Sequence, residues 1–320
     1  MNEVQLIDRY LKRLAKKNNS SQGLNDDIFF DKSKKLAVSI DTYVEKVHFP
    51  NFKAPDLVIK KILRSSISDL ICKGVKPKYY FISASGNSKS FSNKNLKKIS
   101  TSLFSEQKLF NIKLSGGDTV NSKINSFTCC VVGFSDKIVQ RNSSKIGDDI
   151  YITGHLGDSF LGLQILKKRV SLSKSLEKYF ISKFYMPSID LRLVDFLQKF
   201  ANTSIDISDG LLVDLNKMIR EQKYGFLIRL NDIKISSRLK KFFSRNKRFK
   251  IENTIFNGDD YEVIFTSHKK NRSLITKYSK NNNLNIQRIG KILKKNQDSC
   301  ILKGNKKFKI NKNLGYTHQF

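Results

Sequence analysis

The sequence lacks the features that mark membrane, secreted and zinc-binding proteins. No run approaches the roughly 20 apolar residues that a transmembrane helix needs. The first residues show no basic segment followed by an apolar one, so we expect no secretory signal. The four cysteines have no metal-ligand spacing, and the adjacent Cys129 and Cys130 would point to opposite faces of a strand, which makes them poor disulfide partners. These absences predict a cytoplasmic protein with reduced thiols.

Common nucleotide-binding and hydrolase motifs are also absent. The glycine-rich stretch Gly154–Ser159 follows a predicted strand and precedes a predicted helix, where phosphates can bind. It lacks the Lys-Ser/Thr of a P-loop and the third glycine of a dinucleotide fingerprint, so it is a weak indication. No Ser-His-Asp or Cys-His arrangement indicates a covalent intermediate.

Acidic residues are scarce. The chain has 28 Asp and Glu against 60 Lys and Arg, a formal net charge of +32. A basic chain suggests polyanion binding, but these lysines are spread along the whole sequence, which is typical of solvated faces. Nucleic-acid binding is therefore the less favoured alternative. The few acids, in contrast, are clustered beside Gly and Ser, in Asp26-Asp27, Asp206 with Asp209, and Asp259-Asp260-Glu262.

Length and composition predict a folded protein of two domains. The 320 residues suffice for two cores, and 39% hydrophobic residues with 23 Phe argue against disorder. Strand-like and helix-like segments follow one another, which indicates an α/β (α+β) fold. The polar stretch from Ser135 to Gly147 predicts a boundary near residue 137, and hence domains at residues 1–137 and 138–320.

The segment Ser204–Leu211 places two carboxylates where a predicted strand gives way to a helix. Asp206 and Asp209 are three residues apart, and ligands usually bind at such junctions in α/β proteins. An ordinary Asp N-cap is the alternative interpretation. Similar strand-then-Asp junctions are predicted at Asp41 and at Asp118, where a preceding double glycine allows close approach of the backbone.

Other acids have polar neighbours that leave room for a ligand. Asp69 lies near the end of a predicted helix that begins at Pro55, and Ser65 and Ser66 lie one turn earlier on the same side. A solvated Asp69, and a simple turn at the Asp26-Asp27 pair, are the alternatives. If these distant acids converge, their repulsion requires cations, and oxygen ligands of this kind select Mg²⁺. A magnesium cluster serves phosphoryl transfer from a nucleotide such as ATP. The acids concerned are Asp26, Asp41, Asp69, Asp118, Asp206 and Asp209.

Several motifs together resemble the thiamine-monophosphate kinase family. They occur in order from about residue 20 to the end of the chain, which makes the resemblance specific. The motifs are Gly-x-x-Asp-Asp from Gly23, Asp41-Thr-x-Val-Glu45 with His48-Phe49, Ser68-Asp69 followed by Gly74 and Pro77, Gly116-Gly-Asp-Thr119, Asp206-x-Ser-Asp-Gly210, Gly258-Asp-Asp-Tyr-Glu262 and Gly315-Tyr-x-His318.

The resemblance implies two α/β domains like those of aminoimidazole ribonucleotide synthetase, with mixed sheets flanked by helices and a homodimer built through the N-terminal domains. It implies that ATP and thiamine monophosphate give thiamine diphosphate and ADP. It also implies roles for particular residues. Several Mg²⁺ ions would be held by Asp26, Ser39, Asp41, Asp69, Asp118, Asp206 and Asp209, ATP would contact Gly117, Asp118, Arg141 and Ser208, and thiamine monophosphate would contact His48, Asp259 and Tyr316.

Four positions depart from the family pattern. Asn25 and Lys46 stand where the family usually has Gly, and Asn25 is expected to tolerate a left-handed turn. Ile40 replaces a Thr, which removes a hydroxyl beside a proposed metal ligand, and Asp259 replaces a Glu, which shortens its reach. None of the four is a main metal carboxylate.

Two other functions are compatible with parts of the sequence. Another ATP-using member of the same superfamily, such as a selenophosphate or aminoimidazole ribonucleotide synthetase, is the first. A selenophosphate synthetase would need a reactive Cys in a glycine-rich N-terminal stretch, whereas the first cysteine here is Cys72, inside a predicted helix. A basic nucleic-acid-binding protein is the second, and it lacks a base-stacking motif.

Overall fold

The computed structural model contains two β-sheets with helices packed against them, and it describes residues 1–247, 249–250, 252, 255–308 and 315–319. This arrangement confirms the α/β (α+β) class with mixed sheets. Among the described residues, no helix has both the length and the apolar character that a membrane crossing requires.

The first sheet has five strands in the order β1-β2-β5-β3-β4. Only β3 and β4 pair in parallel, and the other neighbours are antiparallel. The strands are β1 (Phe29–Asp31), β2 (Leu36–Val44), β3 (Lys76–Gly86), β4 (Lys113–Asn121) and β5 (Ser126–Phe134).

The second sheet has seven strands in the order β12-β11-β8-β10-β6-β9-β7. Here β11 and β8 pair in parallel and the other neighbours are antiparallel. The strands are β6 (Asp149–Thr153), β7 (Thr203–Asp206), β8 (Tyr224–Arg229), β9 (Val263–Ser267), β10 (Ile286–Lys295), β11 (Cys300–Lys303) and β12 (Lys306–Phe308).

Nine α-helices accompany the sheets in the part of the chain that the structure describes. They are α1 (Glu3–Leu6), α2 (Pro55–Cys72), α3 (Asn93–Phe110), α4 (Asp158–Leu166), α5 (Lys174–Tyr185), α6 (Leu193–Phe200), α7 (Leu211–Met218), α8 (Ser237–Arg245) and α9 (Arg272–Asn281). Helix α1 is short, and π-helical turns at Ile7–Leu11 follow it directly.

Helix α2 positions the site because it lies between the two sheets. Pro at its first turn supplies a preset φ and has no N–H to leave unpaired. Its apolar side chains, such as Ile62 and Ile67, are fully buried in a core that also includes Phe196 and Phe265 from the second half of the chain. Each buried aliphatic side chain contributes about 1.5–3 kcal/mol to folding. The sheets are therefore joined by a shared core around α2.

The first sheet has two different faces. On the inner face Ser39, Asp41 and Tyr43 point toward α2, and the Tyr43 hydroxyl lies 3.2 Å from the Ser66 hydroxyl of that helix. On the open face Ile40 is 68% exposed and Thr42 is also exposed. Successive residues of a strand point to opposite faces, so this alternation decides which residues of β2 can reach the site.

Two predicted strand-then-Asp junctions are wrong. Asp41 lies inside β2 and Asp118 lies inside β4, so neither begins a turn. Strand β2 continues because nine consecutive residues pair with β5 without a break. The junction at Asp206 is confirmed, since β7 ends there. The domain boundary near residue 137 stays a prediction. Along the chain, the last strand of the first sheet ends at Phe134 and the first strand of the second sheet begins at Asp149.

Candidate active site

A cavity of about 600 Å³ lies between the two sheets and is lined from both halves of the chain. Strand β2, helix α2 and the segment after β7 each contribute carboxylates, and residues near both ends of the chain close its rim. Of the residues predicted for the site, the cavity lining includes Asp26, Asp41, His48, Asp69, Arg141, Asp206, Ser208, Asp209, Asp259 and Tyr316.

Three carboxylates meet at the base of the cavity, and we call Asp27, Asp69 and Asp206 the acid cluster. One oxygen of each lies within 4.8 Å of the others. Asp41 is within hydrogen-bonding reach of Asp69. Hydroxyl donors orient the group, because Ser39 donates to Asp69 at 2.5 Å and Ser68 donates to Asp206 at 2.8 Å.

Burial and mutual repulsion disfavour the charged form of these carboxylates when no cation is bound. Burial raises the pKa of Asp69 well above its usual value, and the charges of Asp41 and Asp206 raise it further. Burial raises the pKa of Asp206 to about 7, with a further contribution from Asp214. Oxygen ligands that are crowded and short of positive charge fit Mg²⁺, which binds few carboxylates along with waters and phosphates. The chemistry of this set therefore suits magnesium.

Basic side chains bind Asp27 of the acid cluster and its neighbour Asp26. Lys73 Nζ lies 2.9 Å from Asp26 and 2.7 Å from Asp27. The Arg141 guanidinium binds Asp27, and its backbone N–H donates to Asp26 at 2.9 Å. The Asp26-Asp27 pair is therefore an ion-pairing element rather than only a turn. Burial lowers the pKa of Arg141, whereas the charges of nearby acids such as Asp26 raise it.

Asp209 does not cap helix α7. Its side chain pairs with Lys217, and the helix has no side-chain cap at Gly210. Asp214, inside the helix, accepts the N–H groups of Asp209 and Gly210 at 2.9 Å each. Burial raises the pKa of Asp214 to about 6, although the Lys217 charge lowers it. The N-cap interpretation is wrong, and the Asp209 carboxylate faces the cavity.

A second group of residues lies at another part of the cavity wall. The Asp259 carboxylate pairs with Lys61, whose ammonium also lies 4.0 Å from the centre of the Phe184 ring. The His48 ring accepts the N–H of Val44 at 3.0 Å and lies 5.5 Å from the His318 ring. Burial lowers the pKa of His48, which favours the neutral imidazole.

Two close backbone contacts join these parts of the cavity wall. Asp259 donates its N–H to the Ser208 carbonyl at 2.8 Å, and Tyr316 donates its N–H to the Asp209 carbonyl at 2.9 Å. A Cβ at Gly258 would collide with the Ser208 carbonyl, so only glycine fits there. The segment after β7 therefore holds both the loop Gly258–Tyr261 and the C-terminal Gly315–His318.

The structure separates Gly117 and Asp118 from the acid cluster. Neither is among the described residues that line the cavity. Asp118 pairs in register with Ser83, Ser83 with Thr128 and Thr128 with Thr42, so it lies on the open face. Three strand spacings place it roughly 14 Å across the sheet from Thr42. Ser39 lies behind the residues that line the cavity, and its hydroxyl donates a hydrogen bond to Asp69.

The departures from the family pattern have structural explanations. Lys46 has φ +68°, so this non-glycine residue adopts the conformation that a glycine would favour. Asn25 has φ −116°, and the left-handed residues are instead Gln22, Gly23 and Leu24, so this turn does not require a left-handed residue at position 25. Ile40 points to the open face, away from the acid cluster.

The glycine-rich stretch Gly154–Ser159 binds a carboxyl group of the protein itself. The Asp260 carboxylate accepts the N–H of Gly157 at 2.8 Å at the start of α4. Burial raises the pKa of Asp260. The weak indication of a phosphate site here is not supported, because a carboxylate already occupies this position.

Sequence reasoning missed four residues that act at the site: Lys61, Lys73, Asp214 and the role of Asp27. A signal existed for Lys61, because it interrupts the apolar face of a helix between Val58 and Ile62. The sequence contained no signal for Lys73, whose partners lie about 50 and 130 residues away along the chain.

Comparisons with known proteins find relatives over almost the whole chain. Residues 25–135 match the family described as AIR synthase related protein, N-terminal domain. A protein of Buchnera aphidicola subsp. Acyrthosiphon pisum (strain APS), named thiamine-monophosphate kinase, is 34% identical over 323 residues, covering 99% of this chain and 98% of the relative.

Two solved structures are similar over almost the whole chain. One is described as AaThiL complexed with AMPPCP and TMP; it is 25% identical with a TM-score of 0.86, covering 99% of this chain and 97% of that chain. The other is thiamine monophosphate kinase from Aquifex aeolicus, 26% identical with a TM-score of 0.80, covering 95% of this chain and 97% of that chain.

Proposed function

Because the chain belongs to the thiamine-monophosphate kinase family, we propose that it transfers the γ-phosphoryl group of ATP to thiamine monophosphate, giving thiamine diphosphate and ADP. The observation that carries this proposal is the acid cluster in the lining of the cavity between the two sheets. The similar structure with AMPPCP and TMP bound supports the same pair of substrates. A cytoplasmic location is part of the proposal, and the four free cysteines are consistent with it.

We propose that several Mg²⁺ ions are held around the acid cluster. The carboxylates that face the cavity are the ligands, and Ser39 orients one of them through its hydroxyl. Bound magnesium would neutralise phosphate charge during transfer. The proposed ligands that line the cavity are Asp26, Asp41, Asp69, Asp206 and Asp209.

Phosphoryl transfer depends mainly on positioning and charge neutralisation, and the residues of this chain supply both. We assign Arg141 and Ser208 to ATP, since both line the cavity beside the acids. Asp27 holds the Arg141 guanidinium, which limits its rotamers before a phosphate binds. Preorganised donors lower the cost of ordering when the transition state forms.

We assign the other part of the wall to thiamine monophosphate. The thiamine moiety has a cationic thiazolium and an aminopyrimidine, and a carboxylate suits both groups. Asp259 is the carboxylate available there, and its pairing with Lys61 holds it in place. His48 and Tyr316 supply an uncharged ring and a half-exposed aromatic side chain.

We propose that two copies of the chain associate through the open face. This face carries exposed Ile40 and Phe81, and its edge strand β4 carries exposed Val120 with Gly117 and Asp118. A Cβ at Gly117 would collide with the Ile82 carbonyl, so the pairing of β4 with β3 requires glycine at this position. Association would bring Asp118 of one copy toward the second chain. Asp118 would then contribute to the active site of that second chain, although it does not line the cavity of its own chain. Light scattering coupled to gel filtration measures the mass, and a monomer would contradict this part of the proposal.

The activity is tested by incubating the folded protein with ATP, Mg²⁺ and thiamine monophosphate and detecting thiamine diphosphate by chromatography. We expect product that requires all three additions. EDTA should abolish product, and Zn²⁺ alone should not restore it, because zinc sites usually include nitrogen or sulfur ligands. No thiamine diphosphate from demonstrably folded protein would defeat the proposal, and the substrates of the selenophosphate and aminoimidazole ribonucleotide synthetases would then be tried.

A further inference from the structure

Lys73 is a fully buried cation at the edge of the acid cluster. It is the residue that ends helix α2, and its side chain is 0% exposed. Its ammonium lies 2.9 Å from the Asp26 carboxylate, 2.7 Å from the Asp27 carboxylate and 2.5 Å from the Ser204 carbonyl. An ammonium has three N–H donors, so these three oxygens satisfy all of them.

The surroundings of this ammonium are those of a bound metal ion. Its oxygen neighbours are two carboxylates and a backbone carbonyl, which are the ligand types that hard divalent cations also use. Asp27, one of the two carboxylates, is also a member of the acid cluster. Removing an ammonium from water has a large free-energy cost unless such partners compensate it. The site is thus built to keep a positive charge in the protein interior.

Lys217 provides a useful contrast within the same cavity. Its ammonium binds Asp209 and lies 3.4 Å from Asp214, but its side chain is 26% exposed. A partly exposed lysine can turn into solvent when a metal ion approaches its carboxylates. Lys73 has no exposed part, so it stays with Asp26 and Asp27 whether or not metal is bound.

We propose that the Lys73 ammonium is a resident cation that takes the place of one divalent metal ion beside the acid cluster. This inference rests on the magnesium binding proposed above. Asp26 and Asp27 then give part of their charge to Lys73, and the chain binds fewer divalent ions than its carboxylates would otherwise accept. Lys73 is a positioning residue, since it acts through the carboxylates and does not line the cavity.

The test counts bound metal in Lys73→Met and in the wild type, with Lys217→Met as the matched control. Equilibrium dialysis against Mn²⁺, which stands in for Mg²⁺, gives the number of ions per folded chain. We expect Lys73→Met to bind one more Mn²⁺ per chain than the wild type. Lys217→Met should bind the same number as the wild type, because its lysine leaves when metal arrives.

Thermal unfolding supplies a second readout that does not depend on activity. In EDTA, Lys73→Met should melt well below the wild type because Asp26 and Asp27 lose the buried ammonium that pairs with both. Millimolar Mn²⁺ should restore most of the difference, since a ligand that binds only the folded state stabilises it. Should Lys73→Met fold only when Mn²⁺ is present, Lys73→Gln keeps hydrogen bonding without the charge and is measured in the same way.

Equal Mn²⁺ numbers in the wild type and in both Lys73 variants would overturn the inference and leave the magnesium proposal intact. A wild type that binds no Mn²⁺ would instead overturn the magnesium proposal itself. One additional ion in Lys217→Met as well would also overturn the inference, because it would show that any lost lysine opens a metal site.

Discussion

The inner and open faces of the first sheet place the same residue type, aspartate, in different environments. On the inner face, Asp41 lies within hydrogen-bonding reach of Asp69 in the acid cluster, and burial raises the pKa of Asp41. On the open face, Asp118 is exposed, and its carboxylate accepts a local bond from the N–H of Thr119 at 2.8 Å. The difference comes from helix α2, which covers one face and excludes water from it. The face on which an acid lies thus decides whether it reaches the cavity, and its sequence neighbours do not decide this.

The largest expected effect follows from changing an acid that lies in the cavity, beside the inner face of the first sheet. Asp206→Asn keeps the size of the side chain and removes the charge that offsets magnesium, so we expect kcat to fall at least about a hundredfold. Steady-state kinetics with saturating substrates measures it. Glu262→Gln is the control, because burial raises the pKa of that acid to about 7 too, yet it is absent from the described cavity lining. Near-normal turnover of Asp206→Asn would mean that the acid cluster has no role in transfer.

Asp118 tests the open face. If it serves the site of a second copy, Asp118→Asn should lower kcat by roughly tenfold or more, on the scale of a lost electrostatic contact. Mixing Asp118→Asn with Asp206→Asn should then restore activity, because each mixed dimer has one site with neither change. About a quarter of all sites would be intact if the copies exchange freely and pair at random. A mixture as inactive as its components would show that Asp118 does not act in another chain.

Asp259 lies in the loop at another part of the cavity wall and tests the assignment to thiamine monophosphate. We expect Asp259→Ala to raise the KM for thiamine monophosphate by roughly tenfold, since a charge-assisted hydrogen bond is worth about 1.5–3 kcal/mol. The KM for ATP should barely change. The variant also leaves Lys61 without its carboxylate, so a lower melting temperature is expected too. Equal rises in both KM values would contradict the substrate assignment, and Lys61→Met shows how much follows from the lost ion pair alone.

The smallest effect is on stability against pH. The folded-state pKa of Asp206 is about 7, against a usual value of 3.8, so the folded protein binds this proton more tightly than the unfolded chain does. Metal-free protein should therefore lose stability as the pH rises from about 4 to about 7. Melting temperatures in EDTA across this range measure the loss, and Mg²⁺ should reduce it because bound metal stabilises the carboxylate. A slope that Asp206→Asn leaves unchanged would show that other buried acids, such as Glu262, cause it.

Much of the fold could be predicted from residue patterns. Strands β5 and β6 follow directly from such patterns, because each is a short apolar run between polar turns. Helix α2 was also predicted, since Pro55 begins it and Gly74 follows its end. The ends of β2 and β4 could not be predicted, because pairing with a neighbouring strand continued them past the polar residues that seemed to stop them.

The amino-acid sequence by itself determined the α/β class, the scarcity and clustering of the acids, and the family, because these depend on local composition and on motifs that occur in a fixed order. Only the tertiary structure decided which of those acids meet. It placed Asp27 in the acid cluster, put Asp118 on the other face, and buried Lys73 between carboxylates about 50 residues away. The physical reason is that charge and burial depend on distances between residues remote along the chain, and packing around α2 sets those distances.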